Sequence, residues 1–186
     1  MSLCTGRHFL LALGVILTFR ARELSGQAHI ISLAATAPSV LSVTVTSGAV
    51  QTIANVTDNA VNNFPIPVGI QTSWDLNPGQ TSTVSLIAYF SVPAQALVGP
   101  TQIPSSRVLG RMTTGIPTTF TALTQNAVAG IGTAGGSLQL FAVNILGANK
   151  TDTRNDNLDL QLNLVGFPTL PAGAYVGVLN IRAVTQ

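Results

Sequence analysis

Residues 158–164 read Leu-Asp-Leu-Gln-Leu-Asn-Leu, an unbroken alternation of apolar and polar residues. Successive side chains of a strand point to opposite faces, so Leu158, Leu160, Leu162 and Leu164 predict a β-strand with one face in a core. A helix would scatter the same leucines around its circumference. The period recurs through the chain. Ile31, Leu33 and Ala35 share one phase, as do Leu41, Val43 and Val45 before a Ser47-Gly48 turn. Val50 to Val56 is a further run, and Phe64, Ile66, Val68 and Ile70 share a face. Pro65 and Pro67 interrupt that face and predict an edge strand, because proline has no N–H to give to a ladder. Asn77-Pro78-Gly79 is a turn signal. It follows a strand ending near Trp74–Leu76 and precedes the run Val84, Leu86, Ala88, Phe90.

Downstream, residues 91–105 read as a long loop, and Arg107–Met112 and Thr118–Leu123 as weaker strands. Glycines 130, 132, 135 and 136 mark a connection. Leu138, Leu140 and Ala142 predict one core face, and Tyr175, Gly177, Leu179 and Ile181 another. About eight to ten short strands punctuated by Gly and Pro predict an all-β fold, an antiparallel two-sheet sandwich of Ig-like type. No repeat and no linker divides residues 29–186, which are expected to form a single domain.

The charged fraction is 8%, against about 25% in an average globular protein. From His29 onward five aspartates balance five lysines and arginines, and the formal charge of +2 comes from Arg7, Arg20, Arg22 and Glu23. A neutral domain has no electrostatic footprint for nucleic acid or an acidic membrane. Phe9–Phe19 is an apolar run of eleven residues behind Arg7 and His8. It is shorter than the roughly 20 residues a membrane-spanning helix needs. Residues 1–28 therefore read as a secretory signal peptide, with Gly26-Gln27-Ala28 as the small-residue pattern for cleavage and an uncleaved anchor as the alternative. No later stretch is a membrane-span candidate. Cys4, the single cysteine, precedes the apolar run, so the expected mature domain has no disulfide and burial alone must hold it.

Chemistry-bearing residues are few. His29 abuts the expected cleavage site, a poor place for a catalytic imidazole. Asp58 and Asp75 have no ionisable neighbours in sequence. Lys150–Asp159 (KTDTRNDNLD) is the one dense polar segment. It lacks the glycine and closing glutamate of a calcium loop and reads as a solvated hairpin with internal ion pairs. No catalytic, metal or cofactor site is predicted. Trp74, Tyr89 and Tyr175 are the candidates for a ligand-stacking surface, since aromatic faces bind sugar rings as well as they fill cores. Asn55-Val56-Thr57 and Asn149-Lys150-Thr151 match the glycosylation sequon.

Two longer stretches carry a resemblance. One is Thr72-Ser73-Trp74-Asp75-Leu76-Asn77-Pro78-Gly79 running into Ser85–Phe90. The other is Leu170-Pro171-Ala172-Gly173-Ala174-Tyr175-Val176-Gly177-Val178-Leu179-Asn180-Ile181-Arg182-Ala183. The second resembles the closing strand of secreted bacterial pilin-like and spore-coat-like β-sandwich surface proteins. The chain departs from typical chaperone–usher pilins in lacking their disulfide and a tyrosine next to the C-terminus. The resemblance implies an exported, non-catalytic structural or adhesive subunit, secreted to the cell surface or periplasm. A carbohydrate-binding module is the alternative, and a hydrolase built on the aspartates the third reading. Expected partners are sister subunits or further copies meeting at sheet edges that carry little charge, or a carbohydrate. Residues 29–37 (HIISLAATA), cut off by Pro38, are the candidate strand-exchange segment, with Ile31 and Leu33 as its anchors, either in their own domain or in a neighbour.

Overall fold

The computed structural model describes residues 40–76 and 83–186. The leader, the 29–37 segment with Ile31 and Leu33, and the Asn77-Pro78-Gly79 turn lie outside the described residues. What is described is all-β with antiparallel pairing, and its helix is confined to three short 3-10 turns.

The strands in chain order are β1 Val40–Ser47, β2 Val61–Asn63, β3 Val68–Asp75, β4 Thr83–Tyr89, β5 Leu97–Val98 and β6 Gln102–Ile103. They continue with β7 Val108–Met112, β8 Thr121–Ala122, β9 Ser137–Asn144, β10 Thr151–Asn163 and β11 Asn180–Thr185. One sheet has the order β1-β3-β10-β7-β8, with β2 also on β10. A second is β11-β4-β9, and β5-β6 is a small hairpin. The 13-residue β10 is the spine of the large sheet. One of its edges pairs with β3 over 151–158 and with β2 over 161–163, while the other pairs with β7.

The leucine alternation sets this arrangement. Leu158, Leu160, Leu162 and Leu164 are all buried, and they share one core cluster with Leu41, Val43, Ile70 and Trp74 of the large sheet and Leu86, Ala88, Leu140, Phe141 and Ile181 of the small one. At one end the 145–150 connection crosses from β9 of the small sheet to β10 of the large one, and the Trp74 indole N–H of β3 stitches to it by donating to Asn149 O. Beside it the Leu76 N–H donates to Lys150 O, which continues the β3-β10 ladder.

Several expectations are corrected. Residues 64–67 are a turn, not an edge strand. The prolines break the pairing along β10 between β2 and β3, and β3 itself lies between β1 and β10. The 50–56 run forms no strand, and Val50 is 85% exposed. The 91–105 loop contains the β5-β6 hairpin, with Gly99-Pro100 at its turn. Thr118–Leu123 shrinks to the two residues of β8. In the last predicted strand only Ile181 of the four in-phase residues enters the β11-β4 ladder, and 175–179 makes a single bridge, Val176 to Val98 of the β5-β6 hairpin.

Ala142 is exposed, where simple alternation buries it. The ladder pairs Leu86 with Phe141 but Ile87 with Gln139, so Leu140 is an extra residue at a bulge. One added residue inverts the phase of everything beyond it. Leu138 and Leu140 are buried before the bulge and Phe141 after it.

The 150–159 segment differs most from expectation. It is the first half of β10 and not a solvated hairpin. Asp156 is 3% exposed, because the core-facing phase of the leucines extends back through it to Arg154.

Candidate functional site

On its outward phase β10 carries Thr151, Thr153, Asn155, Asp159 and Gln161, and each bonds the residue directly across the ladder. Thr151 donates to Asp75 at 2.7 Å, and Thr153 and Ser73 share a hydroxyl bond at 3.0 Å. The Gln71 amide donates to Asn155 at 3.0 Å, and Gln161 to Asn63 at 2.8 Å. Arg111 meets Asp159 at 2.6 Å. Directly opposed pairs are the stabilising unit of a sheet. Here they turn an outer face into a polar lattice with one ion pair in five rungs. The composition announced the residue types, and the register aligns them.

The opposite end of the domain from the Trp74–Asn149 stitch holds a cleft of about 940 Å³. It opens where the end of β1 faces the start of β11, with Val45 on one side and Ile181 on the other. Val68, Phe90, Leu160 and Leu162 form its floor, and residues 49–58 and 170–179 form its walls. Asp58 is the one ionisable carboxylate in its lining, and that carboxylate accepts the Leu170 N–H. Gly177 allows the 170–179 wall to approach the backbone at the start of β5, since a Cβ there would collide with Ala96 O.

Gln51 is the polar feature of the lining. Its Nε2 donates to Gly48 O at 3.2 Å and to Ile66 O at 2.6 Å. Its Oε1 is buried with no donor. An unsatisfied buried acceptor costs about 1–3 kcal/mol, and this oxygen is closed off from solvent. Nothing in the sequence singled out Gln51, one amide among many.

The three aromatic candidates are placed apart. Trp74 is 3% exposed and its indole N–H is used at Asn149 O, so its ring belongs to the core. Tyr89 is half-buried at the end of β4, opposite Asn180 and Ser137. Tyr175 lines the cleft, and its hydroxyl donates to Pro171 O at 2.9 Å. No common stacking plane joins them. The aspartates are also dispersed. Asp75 is held by Thr151, Asp159 by Arg111, Asp156 by Arg154, and Asp58 lies at the cleft. Among the described residues no group of three His, Cys, Asp or Glu side chains could hold a metal ion. Of the two sequons, Asn55 is exposed, while the Asn149 amide is engaged with Leu146 N–H and Asn144 O.

Comparison with known proteins finds no family model, no curated protein and no solved structure that matches the chain.

Proposed function

We propose that this chain is an exported, non-catalytic two-sheet β-sandwich of Ig-like, pilin-like type that serves as a structural or adhesive subunit at the cell surface. The observation that carries the reading is the polar lattice along β10. Three of its five rungs are hydroxyl or amide pairs, and its charges are Asp75 and the mutually neutralised Arg111–Asp159 pair, so the face is wettable and presents little repulsion to a neighbouring copy. Among the described residues the edges of β1 and β11 are each paired on one side only, which leaves backbone donors and acceptors for an added strand, from this chain or a neighbour. The apolar leader supplies the route of export.

Export is tested by expressing the full chain, leader included, in a secretion-competent bacterium. Fractionation and intact-mass analysis are expected to find the protein outside the cytoplasm with a new N-terminus near His29, and protease added to intact cells is expected to remove it. A cytoplasmic chain that retains Met1 overturns the proposal.

A further inference from the structure

We infer that the cleft between the ends of β1 and β11 is the seat of an extended strand, and that its occupant is residues 29–37 of the same chain. The inference rests on the cleft and not on the export reading, since a retained leader leaves the segment in place.

Three observations carry it. First, the lining matches a strand of this kind. Val45, Val68, Phe90, Leu160, Leu162 and Ile181 offer apolar walls, and HIISLAATA supplies Ile31 and Leu33 in one phase with no charged residue. Second, the backbone needs are complementary. β1 pairs only with β3 and β11 only with β4 among the described residues, and the two end strands touch. An extended segment entering this seam brings backbone groups for the free edges.

Third, the reach is right. Val40 begins β1 opposite Asp75, and Ser47 ends it opposite Gly69. The chain must therefore reverse to reach a cleft at the Ser47 end. Pro38-Ser39 directly precedes Val40, and proline at a short connection favours a turn. The length of β1 is about 24 Å at roughly 3.4 Å per residue, which the residues between Ala37 and His29 cover. Closing so short a loop costs little entropy, whereas recruiting the strand from another copy depends on concentration.

The test places the photo-crosslinker p-benzoylphenylalanine at Leu33 in the full chain, and in a second protein at Ser32, in the opposite phase. The Ser32 variant covers the case in which the Leu33 variant does not fold. Irradiation is expected to give monomeric products, with crosslinks mapping by mass spectrometry to residues 49–58, 170–179, Val45 or Ile181. Crosslinks in a covalent dimer overturn the inference in favour of exchange between copies. Crosslinks elsewhere in the domain, or none, overturn it outright. Hydrogen exchange gives an independent reading. Ile31→Asp with Leu33→Asp should speed exchange at least tenfold in the 49–58 and 170–179 amides, while the β3-β10 ladder keeps its protection. Unchanged exchange in those walls also overturns the inference.

Discussion

Arg154 donates through Nε to the Asp156 carboxylate at 2.7 Å, and both residues sit on the core-facing phase of β10. The Asp156 side chain is fully enclosed and that of Arg154 is 27% exposed. The guanidinium also donates to Thr114 O and stands 4.8 Å from the Phe141 ring centroid. The pair thus joins the spine of the large sheet to β9 of the small one. Removing one member of a buried pair strands the other, at a cost of about 3–5 kcal/mol when both are enclosed. Because Arg154 retains some solvent, Asp156→Ala is expected to cost about 2–4 kcal/mol, read from the urea midpoint. Asp159→Ala breaks the outward pair with Arg111 and is expected to cost no more than about 1 kcal/mol. Equal costs would show that Asp156 is hydrated in solution.

Leu158 and Leu160 are neighbours in phase but not in packing. Leu158 is fully buried, whereas Leu160 is 8% exposed and borders the cleft. Leu158→Ala is expected to cost about 3–5 kcal/mol. Leu160→Ala is expected to cost about 2–3 kcal/mol in the full chain, where residues 29–37 pack against it, and about 2 kcal/mol or less once Ile31→Asp with Leu33→Asp empties the cleft, because the site then opens on space and the cavity term is smaller. An equal cost in both backgrounds would show that the segment does not reach Leu160.

Thr72 lies on β3 at 0% exposure, and its Oγ1 has no hydrogen-bond partner. Valine has the same shape without the hydroxyl. Thr72→Val is expected to stabilise the domain by about 1 kcal/mol, with an unchanged denaturant slope and a raised midpoint. A loss of stability would show that the hydroxyl has a partner in solution.

The sequence revealed what period-two alternation encodes without interruption: the leucine half of β10, the inward face of β4 and the Leu41–Val43 face of β1. It hid what depends on partners. Thr151–Asn157 contains no apolar residue, so its strand is visible only once β3 lies beside it and supplies the matching polar side chains. The bulge at Leu140 defeats alternation by a single residue. Tyr175–Leu179 has strand-like alternation, yet β4 ends at Tyr89, opposite Asn180, and leaves it no ladder to join. The cleft was illegible for a related reason. Its walls are irregular segments brought together by the fold, and Gln51 carries no local signature.

The ends of the described fold have a mechanical consequence. β1 begins opposite Asp75 and β11 ends opposite Val84, both at the end of the domain stitched by Trp74 and Asn149. Tension applied between those two points pulls each strand away from its neighbour at the same end. The backbone bonds of the β1-β3 and β11-β4 ladders then break rung by rung, as in an unzipped seam, and not together in shear. A filament linked through such points would yield at low force. One that bears load through its lateral faces would draw on the full length of β10.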